Sequence, residues 1–484
     1  MVSTAEHTVD VFERARLSRD PRYDGRFFIA VLTTGIYCRP VCPATPPKRE
    51  NIRFYPSAAA AGEAGFRPCL RCRPETAPGT PAWQGTSTTV RRALRMIESG
   101  ALNDSDVASL AERLGVTARH LRRLFQQTLG ASPLAVAHTQ RLHLAKRLID
   151  QTRLPFSEIA TLSGYGSVRR FNDTFSKTYK RTPRELRKRR RGAADDGLKL
   201  RLPYPSGYQA DALIDFIGQR AIPGVEETRA GTYRRALRMG SGAGLVEVTD
   251  TGHALVVRLQ GLDTNRLVNV VQRVRSVFDL DAPMKDINDW LDRDDAIRLP
   301  DAADVRVPGC WDGFELAVRA VLGQQISVAA ATTIAGRIAE RYGDAIEIPG
   351  HPAIQRLFPT AAKLARARFN HLGLVTSRID TIRSIARAVD RGELDLAEDA
   401  DPVQLREVLT GIRGVGPWTA EYIAMRALKD PDAFPSSDLG LLKGMDGYAG
   451  RRLKPKELEH HAEAWRPWRA YAALRLWRLS ASGG

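Results

Sequence analysis

Four cysteines carry the most specific chemistry in this 484-residue chain. Cys38 and Cys42 enclose three residues, Cys69 and Cys72 enclose two, and 26 residues separate the pairs. Such short spacings suit one tetrahedral zinc ion held by four thiolates at about 2.3 Å. Disulfides are the weaker reading for a chain expected in a reducing compartment. Zinc keeps its sulfurs deprotonated at neutral pH, and the thiolate is the nucleophilic form. The tetrad is therefore either a structural clamp or a reactive sulfur centre. A second feature is Gly414-Val415-Gly416, which sits between two stretches of helical pattern. Glycines there let backbone N–H groups approach a phosphate at the start of the second helix. A plain helical hairpin would carry the same signature.

The residues around the cysteines sharpen the choice. They read Thr33-Thr34-Gly35-Ile36-Tyr37-Cys38-Arg39-Pro40-Val41-Cys42 and Gly65-Phe66-Arg67-Pro68-Cys69-Leu70-Arg71-Cys72. Together with Asp24-Gly25-Arg26-Phe27-Phe28 and Glu50-Asn51-Ile52-Arg53-Phe54-Tyr55, they resemble the N-terminal domain of the Ada methylation-response regulators over residues 10–75. The resemblance implies that Cys38 is a methyl-acceptor nucleophile, loaded irreversibly from a methylated DNA phosphate. It also implies that Cys38, Cys42, Cys69 and Cys72 bind a single Zn²⁺. Four thiolates on the dication sum to −2, which repels a phosphate backbone, and methylating one leaves −1. Repair at such a centre would raise DNA affinity and so act as a switch.

An internal repeat follows. Leu110, Ala111 and Gly115 recur 49 residues later as Ile159, Ala160 and Gly164, and Leu121, Phe125 and Pro133 recur 50 residues later as Phe171, Phe175 and Pro183. Each copy reads helix, glycine turn, helix, the signature of a helix-turn-helix unit, with a connecting helix over Pro133–Asp150. The second helix of the first copy, Ala118–Gln127, turns Arg119, His120, Arg122 and Arg123 outward. Its counterpart, Val168–Tyr179, turns Arg169, Arg170 and Asn172 outward. Such side chains meet base edges or phosphates in the major groove. Ser163-Gly164-Tyr165 and Lys180-Arg181-Thr182-Pro183-Arg184-Glu185-Leu186-Arg187 make residues 88–188 similar to the DNA-binding region of AraC-type regulators.

Further on, Leu409–Lys429 contains Gly411-Ile412-Arg413-Gly414-Val415-Gly416-Pro417-Trp418, and Phe434-Pro435-Ser436-Ser437-Asp438-Leu439 follows. With Leu200–Pro205, Pro308–Glu315, Val318–Gln325 and Trp465–Trp477, these resemble the helix-hairpin-helix DNA glycosylases, in particular inducible 3-methyladenine DNA glycosylase II. The resemblance implies a hairpin that grips DNA through Gly414 and Gly416, with a monovalent cation there as a further candidate. It implies a catalytic Asp438 and a base pocket of Trp418, Tyr422 and Trp477. A carboxylate facing the sugar would stabilise the positive charge that builds as the N-glycosidic bond breaks. Electron-rich rings would attract a cationic alkylated base flipped from the stack. Trp418 stands where bifunctional relatives carry a lysine, so no Schiff base and no strand nicking is expected. Gln325 replaces the leucine that wedges into the base gap in better-known members, and Ser437 and Leu439 replace flanking Asp and Tyr. Cys310, in Pro-Gly-Cys-Trp, reads as a buried packing thiol, and no Pro-Cys-His-Arg motif for O6-alkylguanine repair occurs.

The elements that must position these groups follow from length and charge. A chain of 484 residues needs several cores. Residues 1–200 hold 35 basic and 18 acidic groups, a net +17, whereas residues 201–484 hold 38 and 37. A basic first part fits a polyanionic partner. No apolar leader follows Met1 and no uncharged apolar run reaches membrane-spanning length, so a soluble cytoplasmic protein without membrane contact is expected. Linkers are expected at Pro74–Ser87 and Gly192–Gly197. The fold class is multidomain and mostly α: a small α/β zinc domain over 1–78, an all-α double helix-turn-helix domain over 86–191, an α+β domain over 198–305, and an all-α helix-hairpin-helix region over 306–484. The partners are alkylated and operator double-stranded DNA and RNA polymerase, with a monomer and no organic cofactor expected. The competing reading is an AraC-type regulator with a structural zinc and a DNA-binding, non-catalytic C-terminal module.

Overall fold

A computed structural model of the chain describes residues 4–77, 88–187, 198–205, 207–239, 242–261, 267–299 and 304–482. The N-terminal domain is built on a four-stranded sheet. Strand Phe28–Val31 pairs antiparallel with Ile36–Cys38 on one side and Ile52–Tyr55 on the other, and Arg67–Pro68 runs parallel to Ile36–Cys38. Alternation along the strands separates two apolar faces. Phe28, Ala30 and Tyr37 pack with Ala58 and Ala61 of the helix Ala58–Glu63, while Ile29 and Ile52 pack with Phe27 and with Phe12 and Ala15 of the helix Thr4–Leu17.

The middle domain repeats itself in three dimensions as it does in sequence. Helices Val107–Arg113 and Ala118–Leu129 form one unit, Phe156–Leu162 and Val168–Tyr179 the other, and Pro133–Gln151 connects them. Gly115 and Gly164 take φ of +71° and +74° in the two turns, and Thr117 and Ser167 cap the second helices with their hydroxyls. A Cβ on Gly164 would lie 2.4 Å from the Asn103 side chain, so that turn requires glycine.

The expected linkers fall, over 78–87 and 192–197, outside the described residues. The first starts later than its composition suggests. Pro74–Thr76 is a helical turn, and Glu75 is buried 3.5 Å from Lys146 and 3.3 Å from Arg73. A tertiary ion pair has overridden a Pro- and Thr-rich stretch. The zinc domain is held further against the connecting helix by Tyr37 Oη, 3.0 Å from His143 Nε2, and by Ser57 Oγ donating to Leu129 O at 2.8 Å. Burial pushes His143 down to about 3, so the ring is neutral in that contact.

The second half begins with a five-stranded antiparallel sheet in the order 198–203, 254–260, 242–250, 232–239, 226–229. From Gly313 onward the described chain is almost entirely helical around one large core. A buried ionic cluster joins the two parts. Arg235 of the sheet bonds both Glu226 and Glu315, Tyr233 Oη donates to Glu226 at 2.7 Å, and Arg319 lies within 3.9 Å of both carboxylates. Burial pushes Glu315 up, and burial opposes the charge of Glu226 too, but Arg235 and Arg319 hold Glu226 down. Arg235→Met would leave two buried carboxylates with only the longer Arg319 contacts as ion pairs, so it should cost about 3–5 kcal/mol. A calorimetric melt of the full chain should show the loss, and an unchanged melting temperature would show that the cluster is not a brace. The helix Thr88–Glu98 ties the middle domain to the helical region: Arg92 bonds Asp399 O at 2.9 Å and Asp401 Oδ2 at 3.0 Å, and Arg95 bonds Glu398 O at 2.6 Å and Lys429 O at 3.2 Å.

Candidate functional sites

Cys38 ends the strand Ile36–Cys38, and the parallel register Tyr37↔Pro68 brings Cys69 alongside it. Cys69 N donates to Tyr37 O at 3.0 Å. The ligand atoms of Cys38, Cys42, Cys69 and Cys72 all lie within 4.8 Å of one another. Four sulfurs around a zinc at about 2.3 Å would lie about 3.8 Å apart, so the tetrad fits the ion and its donor chemistry is that of a closed Cys₄ site. The backbone N–H of Arg39 donates to Cys72 Sγ at 3.4 Å, and its guanidinium is anchored by Asp24 at 2.7 Å and Cys72 O at 3.1 Å. Cys69 and Cys72 are buried, whereas Cys38 and Cys42 are half-exposed. The more open side of the tetrad is therefore the one that carries Cys38 and Cys42.

In the middle domain Arg119, Arg122, Arg123, Arg169, Arg170 and Asn172 are all exposed, while Leu121, Phe125, Phe171 and Phe175 are buried. His120 is half-buried and accepts from Arg123 Nη2 at 3.0 Å. The six outward side chains thus lie on the second helices, three per unit.

In the helical region, helices Pro402–Thr410 and Pro417–Ala427 form a hairpin. Gly414 has φ of +90°, and a Cβ there would sit 2.1 Å from Thr381 Oγ1, which donates to Arg413 O at 3.0 Å. Gly416 is the uncapped N-terminus of the second helix and is exposed. Gln324 Nε2 donates to Gly414 O at 3.1 Å, and Gln325 beside it is exposed with φ of +59°.

Asp438 caps the helix Leu439–Ala449, its Oδ1 accepting from Gly440 N at 2.8 Å and Leu441 N at 3.1 Å. Two indoles converge on the same carboxylate: Trp477 Nε1 donates to Oδ1 at 2.8 Å and Trp418 Nε1 to Oδ2 at 2.7 Å. The Trp418 and Tyr422 rings stack at 5.5 Å with a 9° interplanar angle, and Trp477 meets Tyr422 edge-on at 6.5 Å. All four side chains are partly exposed. The structure therefore brings together Asp438, Trp418, Tyr422 and Trp477 from three separate segments.

Other contributors were not read from the sequence. Gly440 admits Trp477, whose Cδ1 would lie 2.8 Å from an added Cβ, and Thr381 braces the hairpin. Arg426 lies one further helical step beyond Trp418 and Tyr422, and its Nη1 donates to Tyr422 Oη at 2.9 Å. The i, i+4, i+8 spacing of these three was the available signal. Cys310, expected to be buried, is only partly buried against the helical core, and burial pushes its thiol up to about 12. No helix among the described residues is long and apolar enough to cross a membrane.

Family models match in chain order: the metal binding domain of Ada over residues 12–75, a helix-turn-helix domain over 110–189, the AlkA N-terminal domain over 199–312, and the HhH-GPD superfamily base excision DNA repair protein over 318–470. The chain is 42% identical over 479 residues to a Mycobacterium tuberculosis protein named "Probable bifunctional transcriptional activator/DNA repair enzyme AlkA", covering 97% of this chain and 96% of that one. It is 31% identical to DNA-3-methyladenine glycosylase 2 of Escherichia coli, across 57% of this chain and 95% of the relative. The 3-methyladenine DNA-glycosylase of Archaeoglobus fulgidus shares the fold of the second half, with a TM-score of 0.52 at 22% identity over 58% of this chain and 98% of that one. The chain belongs to the family of bifunctional Ada/AlkA-like proteins, in which an Ada-type zinc-binding domain and an AraC-type helix-turn-helix domain are fused to a DNA glycosylase for alkylation repair and its regulation.

Proposed function

We propose that the chain reads and repairs alkylated DNA at two centres. At the first, the Cys38 sulfur attacks the methyl group of a DNA methylphosphotriester. The S–C bond forms as the methyl C–O bond breaks, the electron pair stays on the phosphate oxygen, and the thiolate becomes a thioether. Bound zinc would supply the charge that keeps all four sulfurs as thiolates. The half-exposed positions of Cys38 and Cys42, against the burial of Cys69 and Cys72, support an acceptor on that side, and the family resemblance selects Cys38. The recognition helices then bind the operator, one chain entering successive major grooves as a monomer, with RNA polymerase as the next partner.

At the second centre the hairpin at Gly414 and Gly416 receives the DNA backbone, with the cation there carried by resemblance alone. Gln325, exposed beside the hairpin, fills the gap left by the flipped nucleotide. Trp418, Tyr422 and Trp477 hold the base, and Asp438 faces the sugar. As the C1′–N bond breaks, its electron pair leaves with the base, and Asp438 stabilises the positive sugar and orients the water that adds to C1′. The product is an abasic site without strand cleavage. The observation that carries this reading is the Asp438 carboxylate fixed by two indole N–H donors at the rim of an aromatic box.

The test is to incubate the full chain with methylated DNA and measure free purines and methylation of the Cys38 peptide. Release of purines without methylation would reduce the tetrad to a structural clamp, and methylation without release would make the second half a binding module. Operator recognition has its own prediction. Arg122→Ala should weaken specific binding by roughly tenfold, the size of one lost base or phosphate contact. Gel shifts at two salt concentrations would read it, and unchanged affinity would remove Arg122 from the DNA face.

A further inference from the structure

A DNA duplex is a dense polyanion, yet residues 201–484 are almost neutral, with 38 basic and 37 acidic groups. The positive charge of that half is concentrated. Residues 361–391 carry seven basic and two acidic groups, so the remainder of the half is net negative. Five of the seven line one cleft of about 440 Å³. Arg366 and Arg368 come from the end of the helix Ala361–Arg366 and just beyond it, and Arg383, Arg387 and Arg391 from the helix Thr376–Asp390 and its C-terminus. The last three recur at i, i+4 and i+8 and so share a face, while Thr381, Ile382, Ile385 and Ala386 are buried on the other.

One of these arginines ties the cleft together. Arg383 Nε donates to Ala367 O at 2.9 Å and its Nη2 to Arg368 O at 3.4 Å, which joins the end of the first helix to the second. Its Nη1 lies 3.4 Å from the exposed Asp380, and Arg391 lies 3.8 Å from the exposed Glu393. Arg366, Arg368 and Arg387 are exposed, and no carboxylate among the described residues pairs with any of them. The described lining holds a single acid, Asp390. Like charges gathered without partners repel one another, and a groove lined by one sign concentrates the opposite one.

The second helix also reaches the hairpin. Arg378 Nη2 donates to Gln324 O at 2.6 Å, beside Gln325, and Thr381 Oγ1 donates to Arg413 O at 3.0 Å. Arg387 and Arg391 stand six and ten residues beyond Thr381, about 9 and 15 Å along the axis at ~1.5 Å per residue. At ~3.4 Å per nucleotide, that is about three to four steps along a DNA strand. The arginine face turns to solvent, so the backbone reaches it by bending around the helix, as duplexes do where the base stack is opened. We propose that this arginine cleft is a second backbone-binding site of the glycosylase half, which takes the phosphates of the damaged duplex about three to four nucleotides from the lesion. It adds an anchor without base selectivity. The inference rests on the glycosylase reading above.

Salt dependence tests it, because each phosphate neutralised steepens the fall of log K with log salt by about 0.9. The full chain is titrated with an abasic-site duplex at several salt concentrations, and again with duplexes whose phosphates on one flank of the lesion are replaced by uncharged methylphosphonates. The triple variant Arg366→Gln, Arg368→Gln and Arg387→Gln should lower the slope by about 2–3 and weaken binding at low salt by roughly tenfold or more. Replacing all three by Lys should keep most of the slope, since a point charge serves a phosphate. Uncharged linkages on the flank that meets the cleft should lower the slope for the wild type and change nothing further for the Gln variant, the signature of a direct contact. A Gln variant that binds as the wild type does, a Lys variant that loses as much as the Gln variant, or additive losses at every flank overturns the proposal while the glycosylase reading stands. A wild type that neither binds the abasic duplex nor releases a base overturns both.

Discussion

Asp438→Asn should reduce release of 3-methyladenine from alkylated DNA by about a thousandfold or more, the scale at which preorganised electrostatic groups act in catalysis. The substitution is nearly isosteric, so it separates charge from shape. An amide oxygen can still accept from Gly440 N and Leu441 N, preserving the cap of the helix Leu439–Ala449. The amide nitrogen then faces Trp418 Nε1, which now donates to Oδ2 at 2.7 Å, so two donors meet and the indole loses its partner. That local cost is on the order of 1–3 kcal/mol, small beside the loss of the charge that we propose faces the sugar. Chromatography of released bases measures the rate, and binding to an abasic-site duplex reports whether the pocket survives. Equal release by variant and wild type would remove Asp438 from catalysis.

The parts of this protein that local rules could reach were legible in its sequence. Cys38, Cys42, Cys69 and Cys72 are read from two short spacings. The helix-turn-helix pair is read from a repeat whose glycines both prove to need positive φ, at Gly115 and Gly164. Gly414 was singled out for close phosphate approach, and the structure adds a second reason, since Thr381 leaves no room for a Cβ. What local rules could not reach is convergence across the chain. Trp418, Asp438 and Trp477 come from three segments, and nothing in their spacing says that both indole N–H groups meet one carboxylate. The Arg235 cluster likewise draws on Glu226 and Glu315, which no periodicity links. At Pro74–Thr76 composition misleads, because the partner that orders Glu75 is Lys146 on a distant helix.

Cys38→Ala should abolish methyl uptake altogether, since no other sulfur of the tetrad combines ligation with a place on its open side except Cys42, which the family resemblance does not make the acceptor. Mass spectrometry of the full chain after exposure to methylphosphotriester DNA should find one methyl on Cys38 in the wild type and none in the variant. Methyl found on Cys42 would reassign the acceptor. Cys69→Ala should behave differently. Cys69 is buried beside Tyr37, whose ring packs on Phe28 and whose hydroxyl meets His143, so losing that ligand should release zinc and loosen the domain itself. The consequence for DNA follows from charge. Conversion of Cys38 to a thioether removes one negative charge from the side of the site that faces the backbone. At about 8–10 Å and an effective dielectric near 20, that is about 2 kcal/mol of relieved repulsion from one phosphate. Operator affinity should therefore rise by roughly tenfold or more on methylation, and the gain should shrink as salt screens it. The same operator affinity before and after methyl transfer, at low salt, would leave a repair centre without a switch.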